Sequence, residues 1–182
     1  MVKKIILLVL ALTLVSSGVA FAKTKKARKK EPVKKEAPPQ EEPVSQVQTG
    51  NKAIVLAFYR DVFNAHNADA INKYCVDRFV DHNPGPGQNP GLDAMKLAFK
   101  DYFKAFPDLK VTVAQILEEG DCVVARTMVT GTQKGTFLFF PPSHKTFSIQ
   151  MIEIIRFKDG KAVERWGNFD TMSMADQLGL KK

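Results

Sequence analysis

The residues best able to do chemistry lie in one run near the C-terminal end, Ile154-Ile-Arg-Phe-Lys-Asp-Gly-Lys-Ala-Val-Glu-Arg-Trp-Gly-Asn-Phe-Asp170. Its alternation around Asp159-Gly160 reads as two strands joined by a tight turn. A hairpin that ends on Asp170 delivers a carboxylate to the mouth of a pocket, where it can give or take a proton. The competing reading makes Asp170 the N-cap of the helix that Thr171-Met172 opens.

Two further polar residues stand where a pocket needs them. His82 follows Asp81 beside the loop Asn83-Pro-Gly-Pro-Gly-Gln-Asn-Pro-Gly91; it faces a pocket or is a satisfied structural histidine. That loop lacks the Lys-Ser/Thr ending of a phosphate loop. Arg126 sits within the apolar run Val123, Val124, Ala125, Met128, Val129. A charge there must be paired or face a cavity, so Arg126 lines a pocket or pairs with a carboxylate such as Glu153. His66, His82 and His144 are scattered, with no paired-Cys or His-x-His spacing, which argues against a metal site. Cys75 and Cys122 are either a disulfide or two buried free thiols, and spacing alone does not choose.

The elements that must position these residues change character halfway along. Ile54, Phe58 and Val62 recur at helical spacing within 52–65, and a short helix over 68–74 follows Asn67 as N-cap. Leu92, Met95, Phe99, Tyr102, Phe103 and Phe106 form the apolar stripe of a third helix that stops at Pro107. Beyond it the period becomes two. Strands are expected from Leu109, over 122–132, 136–140, 146–157 and 162–169, with turns at Gly120-Asp121 and Asp159-Gly160. A closing helix over 172–178 ends at Gly179. Helices first and hairpins after give an α+β domain, with the N-terminal helices packed on a curved antiparallel sheet. Such a sheet forms a cone with one pocket at its open end.

The N-terminal third reads differently. Lys3-Lys4, the apolar run Ile5 to Val15 and the ending Ala20-Phe21-Ala22 have the form of a secretory signal peptide over 1–22. The apolar run is short for a retained membrane anchor. Export to the periplasm or the extracellular space is therefore expected, after cleavage near Ala22. Residues 23–50 hold eight Lys or Arg against four Glu, with four Pro and only scattered Ala and Val. Such a segment reads as a disordered linker, either a solvated spacer or a contact for an anionic surface. Of the net charge of +8, residues 51–182 carry only +2. The basic balance thus belongs to the leader and linker, and specific nucleic-acid binding by the folded domain is not expected.

Within 51–182 a set of short motifs recurs in order: Tyr59-Arg-Asp-Val-Phe-Asn64, Phe79-Val-Asp-His82, Ala105-Phe-Pro-Asp-Leu109, Glu119-Gly-Asp121 with Val124-Ala-Arg126, and Gly131-Thr132 with Gly135. Pro141-Pro142, Arg156-Phe-Lys-Asp-Gly-Lys161, Glu164-x-Trp166 with Asp170, and Gln177-Leu-Gly179 complete it. In these the chain resembles the SnoaL-like polyketide cyclases, or ester cyclases, of the nuclear transport factor 2-like fold group. The resemblance implies a cofactor-free cyclase. A carboxylate at the end of the last strand removes a proton α to a carbonyl, and the enolate closes a ring on a second carbonyl of the same molecule. Neither metal nor covalent intermediate is implied. Asp170 stands in the position of that carboxylate, with its pKa to be raised by burial. Trp166, on the same face by alternation, is the candidate apolar wall or a core residue. His82 and Arg126 are the candidate donors to the enolate oxygen. Tyr59 and Phe103 join the substrate-binding set, with the core as their other place. Members often carry Glu-His-Trp where this chain has Glu164-Arg165-Trp166, and alternation assigns Arg165 to the face opposite Trp166, outside the pocket. The ligand implied is a small hydrophobic carbonyl compound. The alternative is a non-catalytic module of the same fold that holds a small ligand, or pairs with a second copy through its sheet.

Overall fold

The computed structural model describes residues 49–180, Pro86 excepted. The expected leader over 1–22 and nearly all of the linker over 23–50 lie outside these residues. The linker's last residue, Gly50, already opens helix α1 (Gly50–Phe58).

Helix α1 runs on as a π-helical turn over Tyr59–Asn64, and a 3₁₀ segment covers Ala68–Lys73. Asn67 occupies the cap position of that segment but its side chain makes no capping bond. Helix α2 (Leu92–Ala105) buries Leu92, Met95 and Phe99 along one stripe and stops where Pro107 forbids a further turn. Five strands follow the helical part or interrupt it: β1 (Cys75–Asp81), β2 (Lys110–Glu119), β3 (Cys122–Thr132), β4 (Thr146–Lys158) and β5 (Lys161–Phe169). Helix α3 (Thr171–Leu178) closes the domain and ends on Gly179 at φ 72°, the left-handed position that a glycine takes without strain.

The sheet order is β1-β5-β4-β3-β2, with β1 parallel to β5 and every other pair antiparallel. β1 is not among the strands expected from sequence. Its Arg78 and the exposed Asp77 and Val80 break a clean alternation, and it pairs far along the chain rather than in a hairpin. The segment 136–140 is not a strand either. Phe137 and Phe140 exchange two backbone hydrogen bonds (3.0 and 2.9 Å) around Leu138-Phe139. The result is a tight turn that joins no sheet.

Alternation fixes the two faces. β4 turns Phe147, Ile149, Met151, Glu153, Ile155 and Phe157 inward and Ile152 and Ile154 outward. The inner face is covered by α1, its π-helical continuation and α2, whose Phe58, Phe63, Phe99 and Phe103 interlock at ring separations from 4.7 to 6.5 Å. Burying these rings together adds to the driving force of an otherwise largely aliphatic core. Two bulges shift the alternation. In β5, Phe157 pairs with Ala162 and Arg156 with Glu164, so Val163 is the additional residue. In β2, Val113 pairs with Thr127 and Gln115 with Arg126, so Ala114 is the additional one. Each bulge moves the following residues to the other face.

Cys75 and Cys122 are both free thiols. Their strands are separated by β5 and β4, and three inter-strand steps of about 4.8 Å place them about 14 Å apart, beyond the ~7 Å within which a disulfide closes. The two-thiol alternative is therefore the one found, although Cys122 is only partly buried.

Candidate functional site

Because β5 is bulged at Val163, Ala162 and Arg165 both face inward and Trp166 faces out. The expectation drawn from alternation is reversed: Arg165 belongs to the interior and Trp166 does not.

The interior holds an apolar cavity of about 30 Å³, walled by Val55, Phe58, Phe79, Met95, Phe99 and Ile155 among others, with Glu153 and Arg165 as its charged lining. Its less buried lining residues are Ile54, Phe58 and Tyr74. At the charged end Glu153 is 3% exposed and Arg165 8%. Arg165 Nε lies 2.8 Å from Glu153 Oε1, a close ion pair that is off the line of a hydrogen bond. Its Nη1 donates to Asp81 Oδ2 at 3.2 Å, and the other Asp81 oxygen accepts from the Asn83 amide at 3.0 Å. Tyr59 donates its hydroxyl to Glu153 Oε2. Burial, and then the Glu153 charge, push the Tyr59 phenol well above its usual range. At neutral pH it is a neutral donor. Two carboxyl groups, one guanidinium and one phenol thus meet in a water-poor end of the cone, where each interaction is stronger than in water.

The other expected site residues lie elsewhere. Asp170 is exposed and accepts a hydrogen bond from the Ser173 amide at 3.0 Å, so it is the N-cap of α3. The Ser173 side chain, and then that amide, hold its carboxyl below the usual aspartate range. It lines an open groove of about 430 Å³ with Gln150, Ile152, Asn168, Phe169, Thr171 and Met172, on the outer side of β4 and β5. His82 and Trp166 stack face to face on the outer surface, 4.5 Å apart and 4° from parallel. Glu164 holds the His82 ring through Nε2 at 2.6 Å, and Arg156 lies 5.2 Å over the indole. Arg126 points outward from β3 with Nε 3.5 Å from Gln115 Oε1. Its strand neighbour across β4 is Ile152, while Glu153 lies opposite Ala125 on the inner face, so Arg126 does not pair with Glu153. Phe103 stacks on His66 at 5.0 Å in the helical layer and is absent from the cavity lining. Of the six expected residues, Tyr59 alone reaches the charged end of the cavity, through Glu153.

Glu153, Arg165 and Asp81 are the buried charged residues among those described, and they are not among the expected site residues. The signal for Glu153 was present: it is the single charged residue in phase with five inward apolar residues of β4. Among the described residues no group of three or more His, Cys, Asp or Glu is placed to hold a metal ion.

Comparison with known proteins agrees with this architecture. The family model for SnoaL-like polyketide cyclases matches residues 53–178. Among solved structures, IdmH from Streptomyces antibioticus, regarded as a polyketide cyclase, is 27% identical with a TM-score of 0.63, over 72% of this chain and 99% of its own. AclR from Streptomyces galilaeus, regarded as a hydroxylase, is 29% identical with a TM-score of 0.63, over 72% of this chain and 82% of its own. TsrD from Streptomyces laurentii, at 24% identity, shares the fold with a TM-score of 0.67 over 75% of this chain and 100% of its own. A search of curated proteins finds no match. With the family model covering the helical layer, all five strands and α3, the chain belongs to the SnoaL-like polyketide cyclase family, on the nuclear transport factor 2-like fold.

Proposed function

We propose that this protein performs cofactor-free acid/base chemistry of the cyclase type on a small hydrophobic carbonyl compound, with Glu153 rather than Asp170 as the base. The observation that carries this reading is the buried carboxylate of Glu153 facing an apolar cavity beside a phenol donor and a guanidinium. In the reaction, Glu153 takes the proton from the carbon α to a carbonyl. The enolate oxygen is held by the Tyr59 hydroxyl or the Arg165 guanidinium. The enolate carbon then bonds to a second carbonyl carbon of the same molecule, and the new alkoxide recovers the proton from Glu153. Asp170 is the weaker candidate: it is exposed, already engaged as a cap, and held deprotonated.

A second reading rests on the size of the cavity. At about 30 Å³ it is far below the ~300 Å³ of ordinary ligand pockets, because Arg165 occupies the interior. A ligand has to displace Ile54, Phe58 or Tyr74. The non-catalytic form of the proposal is a module whose interior ion pairs are structural and whose outer sheet face pairs with a second copy. Leu117, Val124, Ile154 and Trp166 are direct cross-strand partners in one row over that face.

Turnover of diketide and β-keto ester substrates by Glu153→Gln, Tyr59→Phe and Asp170→Asn variants distinguishes these. Loss in the first two with activity kept in the third supports the interior base. The reverse pattern restores the strand-end carboxylate. Unchanged ligand binding with no turnover in any form leaves the binding module. We further propose that the chain is exported. The charged, apolar and small-residue order of residues 1–22 supports this, and a mature N-terminus at Lys23, read by mass, checks it.

A further inference from the structure

We propose that Tyr74 is the door of the interior cavity and Asp61 its latch, so that a small apolar ligand reaches Glu153 by swinging the Tyr74 ring aside. This rests on the reading of that cavity as a binding site. Three half-buried side chains close it, Ile54, Phe58 and Tyr74, and they are not equally free to move. Ile54 is β-branched and sits in α1, where one χ1 rotamer is strongly preferred. Phe58 is wedged among the rings of Tyr59, Phe63 and Phe99 at 5.6, 5.7 and 6.5 Å. Among the described rings Tyr74 meets Phe58 alone, edge on at 5.8 Å. Tyr74 is therefore the easiest of the three to displace.

Its backbone, by contrast, is fixed. The Tyr74 amide donates to the Ile71 carbonyl at 2.9 Å, and its carbonyl accepts from the Ala162 amide at 2.8 Å. The neighbouring Lys73 carbonyl accepts from the Lys161 ammonium. Opening is thus the rotation of one side chain, with no strand or helix to displace. What holds the ring shut is its hydroxyl, which donates to Asp61 Oδ2 at 2.5 Å. The other Asp61 oxygen accepts from Arg60 Nε at 2.7 Å. The Arg60 bond, and then the Tyr74 bond, hold Asp61 down to about 2, so the acceptor is a carboxylate at neutral pH. A charged acceptor strengthens the bond, while the partial exposure of Asp61 keeps it breakable. Asp61 lies in the π-helical turn that also carries Tyr59, the donor to Glu153. One short segment, of a kind that recurs at functional sites, holds both the closing bond of the cavity and the phenol at its charged end.

Cys75, next to Tyr74, lines the cavity and is buried, so its thiol reports on the door without any ligand. The test is the rate at which methyl methanethiosulfonate labels Cys75 in the full chain carrying Cys122→Ser. This reagent is neutral and small enough to enter where a bulky aromatic disulfide is not. Labelling of the native ring is expected to be slow, because the thiol is buried and pushed up to about 12. Tyr74→Phe, which keeps the ring, and Asp61→Ala each remove the latch, and each is expected to label about fivefold faster. The double variant is expected to label no faster than either, since both changes remove one bond. Val129→Ala, in the core but absent from the cavity lining, controls for general loosening and is expected to leave the rate where it was. Unchanged labelling in the latch variants, additive effects in the double variant, or equal acceleration by Val129→Ala overturns the proposal. The result is independent of turnover. A failed latch with activity that depends on Glu153 leaves the acid/base reading standing, and a working latch without turnover makes Tyr74 the door of a binding module.

Discussion

Arg165 and Trp166 are adjacent in the chain and face opposite sides of one sheet: the guanidinium lies with Glu153 and Asp81 inside the cone, and the indole stacks on His82 outside it. The inner residue therefore governs stability and any cavity chemistry, and the outer one governs what the sheet surface meets. Replacing Arg165 by Met leaves Glu153 and Asp81 buried without their cation. Breaking a buried pair in this way costs about 3–5 kcal/mol. Urea unfolding is expected to show a loss of that size for Arg165→Met, and a much smaller loss when Glu153→Gln and Asp81→Asn are added. Equal stability of Arg165→Met and the native chain would mean that the interior pairs are not formed in solution.

Most of the fold was legible because its signals are local. The stripe of α2, the turn at Asp159-Gly160 and the stop at Gly179 each rest on a few neighbouring residues, and each element lies within a residue or two of its expected span. The site was less legible because its residues depend on the phase of alternation, which one additional residue reverses. Asp170 is expected in the pocket as the carboxylate at the strand end, and Trp166 as its neighbour on the same face by alternation; the two do share a face, but the bulge at Val163 makes it the outer one and turns Arg165 inward instead. The apolar character of Trp and the charge of Arg also pointed the wrong way, since burial of an arginine depends on distant carboxylates. Asp81 was unreadable for a related reason: it sits on β1, whose parallel pairing with β5 has no hairpin to announce it.

Acid is expected to loosen the domain over a defined window. The Arg60 guanidinium, and then the Tyr74 hydroxyl, hold Asp61 down to about 2. The Ser173 side chain, and then its amide, likewise lower Asp170, and Thr132 lowers Asp108. Carboxyls depressed in the folded state contribute stability that is complete above their unfolded pKa, about 3.9. That stability is lost as pH falls through the folded values. Stability is therefore expected to drop between pH about 4 and about 2. The drop should be shallower in Asp61→Asn and in Asp170→Asn. A stability curve flat through that window would remove these bonds from the account.

The two cysteines are expected to report on opposite environments. Burial pushes the Cys75 thiol up to about 12, so it carries almost no thiolate at neutral pH. Cys122, at the start of β3, is only partly buried. Titration with Ellman's reagent is expected to find one thiol reacting promptly in the native protein and a second only in denaturant. No reactive thiol in either state would indicate a disulfide and a different strand arrangement.

The outer face of the sheet makes the last prediction. Leu117, Val124, Ile154 and Trp166 follow one another across four strands, and Leu117, Ile152 and Ile154 are exposed. A row of apolar side chains on an open sheet is the kind of patch that seeks cover, and a second copy presents the same row about a two-fold axis. Arg156 and Glu164, paired at 2.7 Å beside the row, supply a charged margin. The proposed dimer is expected to appear in sedimentation equilibrium at micromolar concentration. Ile154→Lys should shift it to monomer, since a cation at the centre of the row meets its own copy across the axis. Tyr59→Phe, changed only inside the cone, should leave the assembly intact. A native chain that remains monomeric up to millimolar concentration, or a dimer indifferent to Ile154→Lys, would move the interface away from this face.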